Sequence, residues 1–390
     1  MNKKFIYFDH ASTSPLSKDV LDTINYSFEN YWGNVSSTYK FGIDCATELE
    51  NIRKKISILF NSEPEDIIFT SGSSESISIV FNEISDSFTP ASITISTIEH
   101  QATNIVSNKL KKRGWNIKKW PVDNQGILKT NLINEYVNRN IKLVSIIWGQ
   151  SEIGSLQPIQ YIGEKCSNDN ILFHIDGTQV ISNGIFNWNN LNCDLLSLSA
   201  HKFGGPKGVG ILFTNKKSRK ILLNQDISLT QEYSIRQGTQ PLSLISGLHK
   251  ALENISSRIY FENYNVTFIE NKTIYLRNYF LKKIENNKYF EITGSIEYRL
   301  PNHISFILLN KNLIPIKAYK VINYMSNHNI SISSGSACSS ASNKPSKTLE
   351  SIGFDKLKLF SNIRLSFNED NTYEELDKFY CLILDCINIF

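Results

Sequence analysis

The chain has 390 residues, which is too long for one compact core and predicts two domains, or one large α/β domain with a smaller satellite. Hydrophobic residues make up 41% and charged residues 20% of the sequence, which excludes an intrinsically disordered or fibrous protein. The formal net charge of +4 is spread over short clusters without a long basic run, so nucleic acid is not expected as a direct partner.

The N-terminal residues lack the apolar segment and the small-residue cleavage site of a secretory signal, and no stretch reaches the roughly 18 apolar residues of a membrane span. The sequence is therefore typical of a soluble protein without a membrane partner. Six cysteines are scattered along the chain, without the spacing of metal ligands or the density of a disulfide scaffold. This distribution predicts a cytoplasmic protein without a metal site.

Apolar residues spaced by three or four predict a helix over 43–60, which alternating strands and helices then follow. Short β-branched runs predict strands at 67–69, 93–95, 143–147, 171–173, 195–198 and 209–213. Such alternation is typical of an α/β fold with a mostly parallel sheet covered by helices.

The stretches 241–259 and 263–287 are predicted to be helices that lead out of this large domain. A smaller α+β unit is then predicted, with strands near 303–309 and 362–367 and helices near 315–328 and 373–388. We therefore expect a large domain over 14–258 and a small domain formed by 1–13 and 259–390.

A segment rich in glycine and hydroxyl groups, Thr70 to Ser76, follows the first strand of the sheet and precedes a helical pattern. Backbone N–H groups and the dipole at such a helix start attract anions, which suits a phosphate held near Ser73 and Ser74. Taken alone, the segment is also explained by a helix capping box.

His100 follows the next predicted strand of the sheet. An imidazole in this position could stack on a planar ring and transfer protons. A single histidine is, however, more often a structural residue with satisfied hydrogen bonds.

Asp176 and Gln179 follow the predicted strand at 171–175. A carboxylate at a strand end can pair with a protonated pyridine nitrogen, and Gln179 could bond a ring hydroxyl. The alternative for Asp176 is a helix N-cap, a position that aspartate often occupies.

Lys202 lies in the segment Ser199-Ala200-His201-Lys202, beyond the strand at 194–198. Ligands of open α/β sheets bind beyond the carboxyl ends of the strands, so this lysine is predicted to point into the pocket. A desolvated lysine near other cations loses its proton more easily and can form a Schiff base with an aldehyde. Alone, Lys202 would also fit a surface turn.

Small residues surround Cys338 in the segment 333–342, which predicts an exposed loop with an accessible thiol. The cysteines in apolar periodic contexts are predicted to be small core residues, and these are Cys45, Cys193, Cys381 and Cys386. Cys166 is open to either interpretation.

Arg364 interrupts an otherwise apolar strand pattern. A planar guanidinium suits bidentate binding of a substrate carboxylate. A structural salt bridge is the alternative.

In order and spacing, these motifs resemble the cysteine desulfurases, a branch of the class V aminotransferases with the type I pyridoxal-phosphate fold. The resemblance covers nearly the whole chain, from Phe8–Pro15 to Ser333–Ser342. Its most specific elements are Lys202, the Asp-x-x-Gln segment and the Ser-Ser-Gly-Ser-Ala-Cys segment, which is closer to the IscS and NifS branch than to the SufS branch.

The resemblance implies an enzyme that uses pyridoxal 5′-phosphate to convert L-cysteine to L-alanine. Sulfur would pass to Cys338 as a persulfide and then to an acceptor protein for iron-sulfur cluster assembly, tRNA thiolation or DNA phosphorothioation. Lys202 would be the Schiff-base lysine, and His100 would stack on the ring and assist proton transfer.

The resemblance also implies how the remaining residues contact the cofactor and the substrate. Asp176 and Gln179 would address the ring nitrogen and the ring hydroxyl. Arg364, with Asn34 nearby, would bind the substrate carboxylate. The phosphate would be held by Ser73, Ser74, Ser199 and His201, with Thr239 from the neighbouring subunit of a homodimer.

Two departures from the family pattern lie on the substrate side of the expected site. Gln150-Ser151 replaces the usual Asn-Asn before a glutamate, so Ser151 stands where an asparagine is expected near the ring hydroxyl and the substrate carboxylate. Val35 replaces a proline, and Tyr39 stands where a histidine is frequent. A lower substrate affinity or rate is expected.

Two other functions share part of these motifs. Selenocysteine lysis or amino-group transfer would also use Lys202 and Asp176, although Cys338 argues against plain transamination. A weakly active subunit that serves mainly as a platform for acceptor proteins is favoured only by Ser151.

Overall fold

The computed structural model describes residues 5–222, 231–262, 264–269, 272–335 and 345–390. Its α-helices are α1 (Lys18–Asn30), α2 (Lys40–Phe60), α3 (Ser73–Ser87), α4 (Gln101–Lys112), α5 (Ile133–Tyr136), α6 (Ile159–Asn168), α7 (Lys216–Leu222), α8 (Leu242–Glu253), α9 (Lys272–Ile284), α10 (Ala318–Asn327), α11 (Lys347–Ser351) and α12 (Tyr373–Ile389). Its strands are β1 (Ile6–Tyr7), β2 (Ile67–Thr70), β3 (Ser92–Ser96), β4 (Asn116–Trp120), β5 (Ile141–Ile147), β6 (Leu172–Asp176), β7 (Ile185–Phe186), β8 (Leu195–Ser199), β9 (Gly210–Thr214), β10 (Arg258–Glu262), β11 (Asn265–Phe268), β12 (Phe290–Ile292), β13 (His303–Leu308), β14 (Ile330–Ser331) and β15 (Asn362–Ser366).

The largest sheet in the described ranges has seven strands in the order β2-β9-β8-β6-β5-β3-β4. Strand β9 is antiparallel to both neighbours, and the remaining pairs are parallel. The predicted α/β fold with a mostly parallel sheet is confirmed. Helices α3 and α4 pack on one face, and α2, α6 and α8 pack on the other. Burial on both faces explains why these strands are nearly continuous apolar runs.

A separate apolar core is formed by β12, β13 and β15 with α9, α10 and α12. The N-terminal strand joins it, since Phe8 contacts Phe367 and Phe379 with ring centroids 5.6 and 6.0 Å apart. Leu349 and Leu359, in contrast, pack in the core of the large sheet. We propose the division into 14–258 and 1–13 with 259–390 from these two cores, with Leu349 and Leu359 as small-domain residues that pack against the large domain.

The segment after α8 differs from the helices predicted at 241–259 and 263–287. Helix α8 ends at Glu253 and α9 begins only at Lys272, and the antiparallel strands β10 and β11 lie between them. Strand β10 also pairs in parallel with β7, and Phe261 stacks on Trp148 with ring centroids 5.7 Å apart. The helical interpretation was wrong here because a short apolar run fits either period, and the tertiary pairing with β7 decides it.

The burial of the cysteines confirms the predicted core positions Cys45, Cys193 and Cys386 and places Cys166 in the core as well. Cys381 is exposed, so its predicted core position was wrong. On α12, two residues correspond to about 200° of rotation, which turns Cys381 away from the buried Phe379. Cys338 lies outside the described residues.

Across the described ranges, we find no helix with both the length and the apolar character required to cross a membrane.

Substitutions in β10 test the strand that replaces the predicted helix. Ile259 is 3% exposed and its neighbour Tyr260 is 51% exposed, as expected for the two faces of a strand. We expect Ile259→Ala to lower the free energy of unfolding by about 2–4 kcal/mol, because it leaves a cavity in the core. Tyr260→Ala, the matched control, should change it by less than about 0.5 kcal/mol. Chemical denaturation measures both, and equal losses would contradict the strand assignment.

Candidate active site

A cavity of about 270 Å³ lies where the strands of the large sheet end. Strands β2, β3, β5, β6 and β8 run in the same direction, so the residues that follow them meet at one edge of the sheet. The predicted site residues that line this cavity are Ser73, Ser74, His100, Ser151, Asp176, Gln179, Ser199, His201, Lys202 and Arg364. A wider cleft of about 850 Å³ lies between the N-terminal residues and 368–375, away from most of these strand ends.

The predicted anion site is at the N-terminus of α3. Gly72 is the N-cap, with φ +144°, a backbone conformation that favours glycine, and it has no side chain to cap the helix. The Ser73 N–H donates to Ser199 Oγ at 2.8 Å, and Ser73 Oγ lies 2.6 Å from Thr178 Oγ1. The capping box is therefore not formed by the N-cap residue, and hydroxyl groups from three strand ends surround the start of the helix.

His100 is the N-cap of α4, and its Nδ1 accepts a hydrogen bond from the Ala102 N–H at 3.2 Å. Because a backbone N–H can only donate, the ring proton of His100 is on Nε2. His100 thus makes a structural hydrogen bond at Nδ1, as one interpretation predicts, and its ring also lines the cavity. A single imidazole thus has a fixed tautomer at the edge of the site.

Asp176 ends β6 and is 4% exposed. Its Oδ1 accepts hydrogen bonds from the N–H of Thr178, at 3.1 Å, and from the hydroxyl of Thr178. Residues 177–180 form turns, so Asp176 caps no α-helix. Its carboxylate therefore fits the predicted role of an ion partner better than that of an N-cap.

Lys202 reaches the cavity from the short 3-10 turn after β8. Its Nζ donates to the carbonyl oxygens of Ala11 at 2.7 Å and Ser12 at 2.9 Å. Gln179 Nε2 also donates to Ala11 O, at 3.0 Å. The N-terminal segment thus orients both side chains, and Lys202 is a residue of the site, not of a surface turn.

His201 lines the same cavity as Lys202. Burial, together with the charges of Lys202 and Lys207, lowers the pKa of His201 to about 4, so its ring is neutral at pH 7. Its Nδ1 is buried and has no hydrogen-bond partner among the described residues. A buried polar atom of this kind is available to bind a water or a ligand atom.

Arg364, in β15, is 2% exposed and reaches the cavity from the small core. Its guanidinium donates to Ser151 O at 3.0 Å, to Asp9 Oδ1 at 2.6 Å and to Ser12 Oγ at 2.7 Å. The Nε atom has no partner within the ranges that the structure describes. The salt bridge of one interpretation is formed with Asp9, and binding of a substrate carboxylate at Nε stays a prediction.

Ser151 takes part in this arrangement through its backbone. Its carbonyl oxygen accepts from Arg364 and lies 3.1 Å from His303 Nε2. Burial and the neighbouring Arg299 and Arg364 hold the pKa of His303 well below its usual value, so His303 is neutral and Nε2 carries its proton. Replacing asparagine by serine at position 151 therefore keeps the contact that orients Arg364.

Glu152 connects this site to the described residues on either side of 336–344, the stretch that contains Cys338. Its Oε2 accepts from Ser346 Oγ at 2.7 Å, and its Oε1 accepts from Thr348 Oγ1 at 3.2 Å. On the other side, a Cβ placed on Gly335, which has φ +67°, would lie only 2.8 Å from Glu152 Oε2. One buried carboxylate thus contacts residues on both sides of 336–344.

Two predicted site residues do not line the cavity within one chain, and a third lies outside the described residues. Asn34 is exposed, and its Oδ1 accepts from the Ser36 N–H at 2.9 Å. Thr239 is also exposed, as expected for a residue predicted to act on a neighbouring subunit. Cys338 falls in 336–344, outside the described residues.

Several residues of the site were not assigned a role from the sequence. Asp9 and Ser12 bind Arg364, and Thr178 bridges Asp176 and Ser73. Asp9 and Ser12 lie in the N-terminal motif on which the resemblance partly rests, and Thr178 lies inside the Asp-x-x-Gln segment. Their positions were therefore visible in the sequence, but their partners are far away along the chain.

The donors and acceptors of the cavity fit a phosphorylated pyridine aldehyde, which is the cofactor that the resemblance implies. The N-terminus of α3 and the partnerless His201 Nδ1 suit an anion. The Asp176 carboxylate suits a protonated ring nitrogen, and the Lys202 amine suits an aldehyde. We infer that these residues would hold the cofactor.

The comparisons with known proteins match nearly the whole chain. The profile of the family described as aminotransferase class-V matches residues 6–379. The cysteine desulfurase IscS of Dictyoglomus turgidum is 32% identical over 378 residues, which cover 96% of this chain and 92% of that protein. The mitochondrial cysteine desulfurase of Saccharomyces cerevisiae is 29% identical over 375 residues, which cover 95% of this chain and 73% of that protein.

Two solved structures share the fold over nearly the whole chain. A NifS-like protein has a TM-score of 0.84 at 27% identity, covering 99% of this chain and 100% of that chain. A structure described as SspA in complex with cysteine has a TM-score of 0.77 at 26% identity, covering 93% of this chain and 99% of that chain.

Glu99, which precedes His100, makes the folding stability of the protein depend on pH. Burial raises the pKa of Glu99 to about 7. The folded state therefore favours the protonated carboxyl. The stabilisation from this group is complete below the pKa that the carboxyl has in the unfolded chain, and it is lost as the pH rises from that pKa to about 7. Glu99→Gln removes this loss, so the melting temperature of the variant minus that of the wild type should increase between pH 5 and pH 7 and then level off. Glu350→Gln, at an exposed position, is the control, and a pH-independent difference for Glu99→Gln would contradict the assignment.

Proposed function

Because this chain belongs to the class V aminotransferase family and is a pyridoxal-phosphate-dependent enzyme of the cysteine desulfurase type, we propose that its strand-end cavity takes L-cysteine, releases L-alanine and transfers the sulfur to Cys338. One observation carries the proposal. Lys202, Asp176, His100 and Arg364, which are far apart in the sequence, line a single cavity. An amine, a carboxylate, an imidazole and a guanidinium are the groups that this reaction needs around an amino acid.

Pyridoxal phosphate, when bound, supplies an aldehyde that condenses with amines and a ring that withdraws electrons from the substrate Cα. Lys202 supplies the amine that holds the cofactor and then accepts the Cα proton at Nζ. Asp176 keeps a proton on the ring nitrogen, because a buried carboxylate favours a cation beside it. His100, with its proton on Nε2, can donate to an oxygen or a sulfur of the substrate.

Arg364 positions the substrate through its carboxylate. Its bonds to Ser151 O and Asp9 fix the plane of the guanidinium before a ligand arrives. A guanidinium that is already oriented loses little freedom on binding, so an N–H at Nε can contribute affinity and direction. The amino acid is thereby oriented with its amine toward the strand ends.

The sulfur step takes place between the substrate and Cys338. The thiolate of Cys338 attacks the substrate sulfur, and an S–S bond forms while the Cβ–S bond breaks. The electron pair of the broken bond stays with the three-carbon fragment, which takes up a proton and leaves as alanine. The sulfur remains on Cys338 as a persulfide, so no external oxidant or reductant is required.

The persulfide is then passed to an acceptor protein. We propose that this acceptor serves iron-sulfur cluster assembly, tRNA thiolation or DNA phosphorothioation, the three processes implied by the resemblance. Glu152 supports the transfer indirectly, since it contacts both described ends of the cysteine segment, at Gly335 and Ser346.

We propose that the enzyme is a homodimer in which Thr239 of each chain reaches the cofactor phosphate of the other. Large apolar side chains are exposed on the neighbouring surface, where Trp32 is 72%, Tyr39 58% and Ile43 52% exposed. Val35, Ala46 and Leu49, from the same part of the chain, line one open groove together with residues of 231–240. An exposed apolar patch of this kind is typical of a protein interface.

We also propose a cytoplasmic location. The described cysteines, Cys45, Cys166, Cys193, Cys381 and Cys386, are free thiols, which suits a reducing compartment. A reducing environment also keeps a catalytic thiol available for the persulfide.

Cys338→Ser tests the division of labour between the cofactor residues and the thiol. The variant should keep the yellow colour of the bound cofactor, because Lys202 is unchanged, but should lose persulfide formation and sulfide release. Cys381→Ser is the matched control, because Cys381 is exposed and lies on α12 away from the cavity. Alanine and sulfide assays with persulfide labelling measure the effect. Loss of the colour, or unchanged sulfide release, would contradict the proposal.

Arg364→Lys tests the binding of the substrate carboxylate. Lysine keeps the charge but cannot keep the planar bonds to Ser151, Asp9 and a ligand together. We expect KM for cysteine to rise about tenfold or more, a loss of about 1.4 kcal/mol or more, with the cofactor absorbance retained. Arg258→Lys, in β10, is the control because Arg258 lies outside the cavity and its guanidinium donates to the backbone carbonyl oxygens of Ile255 and Ser257. An unchanged KM would contradict the binding of the substrate carboxylate by Arg364.

A further inference from the structure

Residues 231–240, here called the 231–240 loop, are fixed at their base and exposed at their tip. Gln231 Oε1 accepts from the Gly238 N–H at 2.9 Å, and Gln240 Nε2 donates to Glu232 Oε1 at 3.3 Å. Ile235 is buried, whereas Gly238 and Thr239 are exposed. The side chains at both ends of the loop therefore determine where its tip stands.

Glu232 is the centre of this base, and its side chain is fully buried. It forms a bidentate ion pair with Arg53 of α2, with distances of 2.9 Å and 3.0 Å. Glu232 Oε2 also accepts from the Phe69 N–H at 2.7 Å, and Arg53 donates to Ile67 O at 2.6 Å. The ion pair thus attaches the loop to β2, the strand that leads into the N-terminus of α3.

The backbone of the loop is strained beside this ion pair. Glu232, Tyr233 and Ser234 have φ values of 46°, 55° and 67°, which is the left-handed region that residues other than glycine avoid. Three such residues in succession persist only where surrounding contacts determine them. The Arg53 guanidinium, which also lies 5.4 Å from the Tyr233 ring, provides such contacts.

A second ion pair connects the loop to the phosphate site of its own chain. Arg236 Nε lies 3.4 Å from Glu75 Oε1 in the first turn of α3. Glu75 also accepts from the Ser71 N–H, directly before the N-cap Gly72. The loop is therefore aligned with one anion site while it presents Thr239 outward.

We propose that the buried Arg53–Glu232 ion pair positions Thr239 so that it completes the phosphate site of a second copy of the chain. This inference rests on the proposed homodimer. A buried ion pair adds little net stability compared with apolar residues, and an exposed tip does not need to be ordered for the stability of its own chain. The strain and the buried charges are accounted for if the tip must reach a partner in one defined position.

The test uses hybrid dimers purified through two different affinity tags. In the first hybrid, one subunit carries Arg53→Lys together with Lys202→Ala, and the other is wild type. Only the wild-type subunit can form the absorbing lysine-bound cofactor, and its phosphate is completed by Thr239 of the variant subunit. In the second hybrid, Arg53→Lys and Lys202→Ala are on different subunits, so the absorbing site receives Thr239 from a chain with an intact ion pair.

Cofactor affinity is measured by absorbance titration of the cofactor-free hybrids, without any activity assay. Relative to a hybrid with Lys202→Ala alone, we expect the cofactor Kd of the first hybrid to rise about tenfold, the loss of one hydrogen bond to a charged group. The Kd of the second hybrid should rise by less than about threefold. An equal or larger effect in the second hybrid, or no effect in the first, would overturn the proposal.

Two further variants separate this proposal from the proposed homodimer. Thr239→Ala on the Lys202→Ala subunit should raise the Kd as much as Arg53→Lys does in that position. If hybrids form but Thr239→Ala has no effect, the shared site is wrong, and if no hybrid forms, the homodimer itself is wrong. Glu232→Gln repeats the test from the other side of the ion pair, and thermal melting shows that each variant is folded.

Discussion

The site depends on one constraint, the shared carboxyl edge of the parallel strands. Where β3, β5, β6 and β8 end, their last polar groups have no further strand residues to pair with. Hydroxyl groups and the N-terminal segment satisfy them, as in the bonds from Ser73 N to Ser199 Oγ and from Lys202 Nζ to Ala11 O. The same groups that complete the sheet edge therefore form the polar lining of the cavity.

The substrate side of the cavity is formed by two cores that meet at a backbone carbonyl. Ser151 O belongs to the segment after β5, whereas Arg364 and His303 belong to neighbouring strands of the small core. Because the contact uses the backbone, the side chain at position 151 can change without loss of the bond. Gln150 has a further role, since its Nε2 donates to Thr348 Oγ1 at 3.0 Å and so connects this segment to α11. The departure at 150–151 is thus compatible with an intact arrangement of Arg364.

The parts of the fold that could be predicted from the sequence are those whose signal is local. The runs that became β2, β6 and β8 are apolar because both faces are buried, and the polar residues after them marked the strand ends. The hairpin of β10 and β11 could not be predicted in this way, because it depends on pairing with β7, more than 70 residues earlier. For the same reason, the partners of Asp9, Thr178 and Glu232 were not visible, since each bond joins residues distant in sequence.

Glu152 connects the surroundings of Arg364 to the described residues before and after 336–344. It follows Ser151, whose carbonyl orients Arg364, and its own carboxylate contacts Gly335 and Ser346, the described residues near the two sides of 336–344. A shift of Arg364 would therefore act on Ser151 and, through the backbone, on its neighbour Glu152. Because Glu152 is 8% exposed, water competes weakly for the hydrogen bonds of its carboxylate. One short stretch of backbone thus connects Arg364 to the described residues on either side of 336–344.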